Sequence, residues 1–219
     1  MNNKDTMWVD LHLHTLGSGD CLVKVEPLLK HCRRIGLDKI AITDHNSIEQ
    51  AQLAHAMAPD RVIVGEEIET TQGEMLGYFL TEWVPPGLTP METITRLREQ
   101  NAVISVAHPF DRQRSSRWSN DQLMEILPHI DAIETFNGRC LVSKPNNLAA
   151  EFAREHSLLE TAGSDAHSIF EVGRAGLMLP DFTDRDGFVA ALNKAKVVGK
   201  LSPMYVHLFS RFASIFKRF

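Results

Sequence analysis

The chain has 219 residues, 43% of them hydrophobic and 23% charged, with a formal charge of −5 at pH 7. That profile fits a soluble globular protein and excludes a broadly basic nucleic-acid surface. Met1-Asn2-Asn3-Lys4-Asp5 lacks the apolar core of a signal peptide, and no stretch is long enough to span a bilayer. Three scattered cysteines, Cys21, Cys32 and Cys140, argue against a disulfide framework and fit a reducing cytoplasm.

Taken in order, Trp8 to Thr15 alternates as a strand, with Val9, Leu11 and Leu13 on one face and Asp10, His12 and His14 on the other. A Gly/Ser-rich loop carrying Asp20 follows. Leu28, Leu29, Cys32 and Ile35 recur at helical spacing after Pro27, and Gly36 supplies the stop. Lys39 to Thr43 is a short buried strand ending on Asp44-His45. Ser47 with Gln50 forms a capping-box pattern for a helix to about Met57. Arg61 to Gly65 is a strand leading into Glu66-Glu67-Ile68-Glu69, and Met75 to Leu80 is another, closed by Pro85-Pro86-Gly87.

Thr89 with Glu92 caps a helix to about Gln100, and Ala102 to Ala107 is an apolar strand ending on His108-Pro109. Ser119 opens a further helix. Ala132 to Phe136 is a strand with Asn137-Gly138-Arg139 beyond it. A helix from about Asn146 to His156 precedes the strand Leu158 to Ala162, which ends on Gly163-Ser164-Asp165-Ala166-His167. Ala175 to Leu179 and a helix over about Arg185 to Ala195 complete the regular part.

Strands alternating with helices predict a parallel sheet with helices outside it. Seven or eight strands suffice to close a barrel; an open doubly wound sheet is the alternative, but no glycine fingerprint follows the first strand. In a parallel barrel, functional groups gather at the C-terminal strand ends. This chain places there His12, His14, Asp20, His45, Glu67, His108, Glu134 with Asn137, Asp165 and His167. Buried charges are costly unless paired or metal-bound, and these exceed the three or four ligands of one zinc ion. They predict a cluster of two or three divalent ions with bridging carboxylates.

Asp10-Leu11-His12-Leu13-His14-Thr15, Thr43-Asp44-His45, Gly65-Glu66-Glu67-Ile68, His108-Pro109 and Ser164-Asp165-Ala166-His167 resemble the successive motifs of the PHP (polymerase and histidinol phosphatase) family. The resemblance runs from about residue 8 to about residue 200, with the motifs in the family's order. It implies a distorted seven-stranded β/α barrel of the TIM type, related to the amidohydrolases, with up to three metals at the C-terminal mouth. Carried over to this chain, it implies that His12 and His14 hold one metal, Glu67 bridges to a second and Asp165 completes the set. His108 then serves the second metal, and Asp20, His45 and His167 the third. The strand of Glu134 matches least, since many members place a His or Cys ligand there; in this chain Glu134 and Asn137 are the candidate ligands of the second metal. Asp44 and Asp10 are expected to orient ligating histidines.

The expected function is hydrolysis of a phosphomonoester or nucleotide-type substrate by a metal-bridged hydroxide, with Glu67, Asp165 and His167 as catalytic candidates and Mn, Zn or Fe as the ions. No serine or cysteine elbow offers a competing nucleophile. Arginine's planar fork suits phosphate. Arg112, Arg114 and Arg117 follow His108-Pro109, Arg139 follows Asn137, and Arg174 follows His167; Arg139, Arg174 and Arg112 are the selected phosphate-binding candidates. Alternatives are an exonuclease acting on short nucleic-acid ends, carbon–nitrogen bond hydrolysis by the same metals, and a non-catalytic binding or regulatory module. His31, His55, His129 and His156 fall on or beside helices and are expected to have surface or capping roles.

The expected division is a barrel over residues 1–203 and an amphipathic helix over 204–219. Tyr205, Leu208, Phe209, Phe212, Ile215, Phe216 and Phe219 recur at helical spacing, with Arg211, Lys217 and Arg218 as the only charges. Packing of that apolar stripe on the barrel is expected, with a membrane-surface or partner-binding helix as the alternatives.

Overall fold

The computed structural model describes residues 6–114 and 117–217, with Phe209 described by its backbone alone. The expectations placed on Met1 to Asp5, on Arg218 and Phe219 and on the side chain of Phe209 lie outside that description. In chain order the strands are β1 (Met7–Leu13), β2 (Lys39–Ile42), β3 (Val62–Glu69), β4 (Glu74–Tyr78), β5 (Val103–Val106), β6 (Ala132–Asn137), β7 (Leu159–Gly163), β8 (Ala175–Leu179) and β9 (Lys196–Gly199). The helices are α1 (Val25–Ile35), α2 (Glu49–Met57), α3 (Pro90–Glu99), α4 (Asn120–Ile126), α5 (Lys144–His156), α6 (Arg185–Leu192) and α7 (Val206–Phe216).

The strands form one sheet ordered β7-β6-β5-β4-β3-β2-β1-β8-β9. It curls until its first strand meets the chain beyond β7. Asp165 N donates to His12 O at 2.6 Å, His14 N donates to Ala166 O at 2.9 Å, and Leu13 bridges Ala166 in parallel. The N-terminal half of β1 pairs instead with β8. The result is a nearly closed β/α barrel with β8 and β9 splayed from the seam. Gly163 permits that closure, because a Cβ there would stand 2.3 Å from His12 Cβ.

The sheet departs from the all-parallel expectation. Pairs β3–β4, β4–β5, β1–β8 and β8–β9 are antiparallel, while β1–β2, β2–β3, β5–β6 and β6–β7 are parallel. A parallel neighbour needs a crossover of a dozen or more residues. The link from Glu69 to Glu74 is a tight turn closed by Thr70 N donating to Gly73 O at 3.1 Å, so β4 must return as a hairpin. The short strand β9 has no counterpart in the sequence expectation.

The core has two layers. Ile40, Ile42, Val62, Val64, Ile104 and Val106 face the helices, while Ala41, Ile63, Leu76, Tyr78 and Val103 face inward, where Phe188 of α6 joins them. On β1 the expected alternation is broken. Against β2 its register moves from Asp10 to Leu13 while β2 moves only from Ile40 to Ile42. One extra residue reverses the facing of everything after it. Val9 and Leu11 therefore share the inner layer, Leu13 joins the helix layer, and His12 and His14 turn into the barrel mouth.

Capping follows the sequence at α3, where Thr89 and Glu92 make a reciprocal box, and the helix that Ser119 opens, α4, has a second such box with Gln122. It fails at α2, whose N-cap is Ile48 with no side-chain bond. Ser47 accepts only a long 3.4 Å bond from Glu49 N.

The C-terminal helix lies on the barrel with its apolar stripe facing outward. Tyr205, Leu208, Phe212, Ile215 and Phe216 are each 60–64% exposed, and Val206 and Ala213 are the buried positions. Beneath α7 lies a polar rim. Lys217 Nζ donates to Leu16 O and Ser18 O at 2.7 and 2.6 Å, and Arg139 Nη2 donates to Ser210 Oγ at 2.9 Å. Buried backbone carbonyls and a guanidinium require polar partners. The polar edge of α7 therefore turns inward and the aromatic stripe outward.

Candidate metal centre

Inward parity on β3 runs through Ile63 and Gly65 to Glu67, whereas Glu66 turns toward the helices and accepts from Val84 N at 3.1 Å. Glu67 thus enters the mouth beneath the two histidines of β1. Its Oε1 stands 2.9 Å from His108 Nε2 and 3.3 Å from His12 Nε2. Its Oε2 stands 2.9 Å from His45 Nδ1 and 3.4 Å from His14 Nε2. Across from it, Asp165 Oδ1 is 3.3 Å from His14 Nε2 and 3.9 Å from His12 Nε2. Asp165 and His108 are placed by backbone in the left-handed region, φ +54° and +25°. Residues without glycine's freedom hold such φ values only where the surroundings over-determine them.

Asp20 and His167 form the outer part. His167 Nε2 is 3.0 Å from Asp20 Oδ2, and His45 Nε2 is 3.7 Å from Asp20 Oδ1. The ring of His14 lies between those of His45 and His167, at 4.4 and 4.2 Å. Burial, with His167 and His45 adding to it, holds His14 well below the ordinary histidine pKa. It is therefore neutral, the form that ligates. Burial alone would raise Glu67 and Asp165, but His12 and His45 outweigh it at Glu67, and Arg114 and His12 at Asp165. Both stay ionised.

A second layer fixes these side chains. Glu134 Oε1 lies 2.9 Å from His12 Nδ1, and its Oε2 accepts from His108 N at 2.8 Å and Asn137 Nδ2 at 3.1 Å. Ser18 Oγ lies 2.8 Å both from His14 Nδ1 and from Asp44 Oδ1. Asp10 instead accepts from Ser164 N and Gly173 N, at 2.9 and 3.0 Å, and ties the two strands together.

The fit of this site to cations follows from what these bonds leave over. His12 Nε2, His14 Nε2, Glu67 Oε2, Asp165 Oδ1 and Asp20 Oδ1 are buried and lack hydrogen-bond partners. Unsatisfied groups of this kind are expensive unless something else binds them. Among the described residues four compact groups of donors present themselves: His12/His14/Asp165, His12/Glu67/His108, His14/His45/His167 and His45/Glu67/Glu74. His and carboxylate donors within 4.8 Å of one another suit first-row divalent ions.

The structure brings His12, His14, Asp20, His45, Glu67, His108, Asp165 and His167 to one mouth. Glu134 is adjacent, with its carboxylate engaged by His12, His108 and Asn137. Glu74 joins from β4, its Oε2 3.5 Å from His108 Nε2. Sequence reading passed over it because it opens a strand after a turn, where an acid is ordinarily solvated.

The arginines separate. Arg114 pairs with Asp165 Oδ2 and lies 3.5 Å from Asp111. With Arg139, Arg211, Asp20, His167 and His207 it lines a cavity of about 490 Å³ beside the donors. Arg139 is buried, 3.4 Å from Glu171. Arg174 donates to Leu201 O at 2.7 Å and lines a different cavity, of about 700 Å³, beside Trp8 and Gly36. Arg112 is exposed on the loop outside the mouth. Spacing from a strand end does not distinguish these arginines; the direction of each loop does.

Comparison with known proteins places this architecture. A family model described as the PHP domain matches residues 10–136, and one described as PHP-associated matches residues 144–197. An uncharacterized protein of Methanocaldococcus jannaschii, MJ0417, is 40% identical over 173 residues, 77% of this chain and 69% of that protein. A second from the same organism, MJ1587, is 32% identical over 156 residues, 65% of this chain and 89% of that protein. Among solved structures, a two-domain Bacteroides vulgatus protein containing a predicted PHP-like metal-dependent phosphoesterase shares the fold. Its TM-score is 0.73 at 17% identity, over 95% of this chain and 70% of that one. With the ordered motifs on the barrel mouth and a family match over more than half its length, this chain belongs to the PHP family.

Proposed function

We propose that the protein is a metal-dependent phosphoesterase acting on a phosphomonoester or nucleotide-type substrate. The reading rests on the convergence of unpartnered buried nitrogen and carboxylate atoms at one end of a cavity whose wall carries Arg114, Arg139 and Arg211. His12, His14, Asp20, His45, Glu67, His108, Asp165 and His167 would hold two or three divalent ions, with Glu74 as a further donor. When bound, the ions supply Lewis-acid polarisation of phosphoryl oxygens and a water of lowered pKa. The Bacteroides vulgatus neighbour's description as a phosphoesterase agrees with this reading.

The chain's own residues do the rest. Glu134 and Ser18 orient His12 and His14, so that their Nε2 atoms face the centre. Arg114 and Arg139 on the cavity wall would offer planar donors to phosphate oxygens. His167, its Nδ1 held by Asp165 O at 2.9 Å and its Nε2 3.0 Å from Asp20, would hold its ion on the cavity wall. A cysteine nucleophile does not compete. All three thiols are buried, and burial pushes Cys21 and Cys32 up to about 12 and Cys140 higher still.

The test is reconstitution with Mn²⁺, Zn²⁺ or Fe²⁺, metal counting, and assay on phosphomonoesters, phosphodiesters and amides. Metal-dependent release of phosphate from a monoester is expected. Less than one ion per chain with no turnover on any substrate would sink the reading. Preference for amides would move it to carbon–nitrogen hydrolysis.

A further inference from the structure

The feature that the metal centre does not explain is α7. It lies outside both family matches, which end at residue 197. An ordinary surface helix buries its apolar stripe; this one buries Val206 and Ala213 and exposes Leu208, Phe212, Ile215 and Phe216, with Met204 (72% exposed) just before it. The arrangement is held by specific bonds, from Lys217 to the carbonyls of Leu16 and Ser18 and from Arg139 to Ser210. The outward stripe is therefore the face this packing presents.

Charge decides what covers it. From Gly187 to Phe219 there is no Asp or Glu, while Lys194, Lys196, Lys200, Arg211, Lys217 and Arg218 are basic, in a chain whose net charge is −5. Arg211 borders the stripe, is exposed, and has no ion-pair partner among the described residues. A second copy docked through this face would bring like charges together across a two-fold contact. A bilayer interface with anionic headgroups satisfies both halves: aromatic and aliphatic side chains enter the acyl boundary, and Arg211, exposed beside the stripe, meets the headgroups.

We propose that α7 is an interfacial anchor which seats this protein, without spanning it, on a membrane surface rich in anionic lipid. The proposal does not depend on the hydrolase reading. It has a geometric corollary, because the flank of the helix beside the stripe carries His207 and Arg211, which also line the cavity beside Asp20 and His167. Seating α7 would then set the outer wall of that cavity.

The test uses the full chain with vesicles of phosphatidylcholine alone or mixed with phosphatidylglycerol. Co-sedimentation with the anionic vesicles is expected, weakening as salt rises. It should fall about tenfold or more in a Leu208→Glu/Phe212→Glu variant, given the transfer energies of two large apolar side chains. That variant's circular dichroism spectrum and urea unfolding should match the parent's, which shows that it folds. A separate Phe212→Trp variant should shift its emission to the blue on meeting anionic vesicles. Absence of vesicle binding, together with an unshifted emission spectrum of the Phe212→Trp variant, overturns the proposal. So does a concentration-dependent dimer, seen by sedimentation velocity, that Leu208→Glu/Phe212→Glu dissociates; that result assigns the face to a second copy.

Discussion

Oε1 of Glu134 stands 2.9 Å from Nδ1 of His12, and this contact turns the other ring nitrogen of His12 toward Glu67 and Asp165. Accepting the Nδ1 proton fixes the tautomer in which Nε2 is free to ligate. Glu134→Ala removes that acceptor and the one used by His108 N. Metal affinity should fall about 10- to 100-fold, measured by chelator competition. Unchanged affinity would show that packing alone orients the ring.

Asp165 offers one oxygen to His12 and His14 and the other to Arg114 and Asn137. Asp165→Asn keeps the shape and loses the charge. Turnover should drop roughly 100- to 1,000-fold, while the circular dichroism spectrum is retained. Activity at the parental level would remove Asp165 from the site.

Arg139 and Arg174 are predicted to behave oppositely. Arg139 lines the cavity beside the donors, and Arg174 caps Leu201 elsewhere. Arg139→Ala should raise KM about tenfold or more on a phosphomonoester, with Arg174→Ala leaving KM unchanged. Steady-state kinetics on the two variants decides it; a KM rise in Arg174→Ala would refute the assignment.

At Gly163 a Cβ would stand 2.5 Å from His12 N and 2.3 Å from His12 Cβ. Gly163→Ala must push β7 from β1 at the barrel seam. The expected loss is about 1–3 kcal/mol or more in urea unfolding, with weakened metal binding. Unaltered unfolding would mean that the seam yields without cost.

Glu66 is buried beside Val84, and burial raises its carboxyl from 4.5 to about 8. A raised acid binds its proton more tightly in the folded state than in the unfolded one. Its contribution to stability is therefore present below about 4.5 and is lost as pH climbs toward 8. Glu66→Gln should flatten that slope and stabilise the fold at alkaline pH. Parallel stability–pH curves for the two proteins would contradict it.

The parts of this architecture that were legible in the sequence share a cause. The strands β2 and β5 are short runs followed by His45 and His108, β1 and β3 carry His12 and Glu67 in their C-terminal halves, β7 leads into Asp165 and His167, and a β/α succession puts those ends at one mouth. His12, His14, His45, Glu67, His108, Asp165 and His167 could be read from that rule and from the PHP motifs. Glu74 could not, because a hairpin rather than a crossover carries it to the mouth. Arg114 could not be chosen over Arg112, because two residues in one loop differ only in the way the loop turns. The C-terminal stripe was legible as amphipathic, but its direction depended on what lay beneath it.

The sequence by itself therefore determined the alternation of strands and helices, the capping box at Thr89, and which histidines and carboxylates stand at the strand ends. These follow from local periodicity, local hydrogen bonding and motif order. Tertiary structure alone decided the facing of His12 and His14, because the extra residue of β1 is defined only by its register against β2. It also decided that Glu134 grips His12, that Arg114 reaches Asp165, and that α7 turns its aromatic side outward. Each of these is a contact between residues far apart in the chain, settled by which polar groups need a partner at the same place.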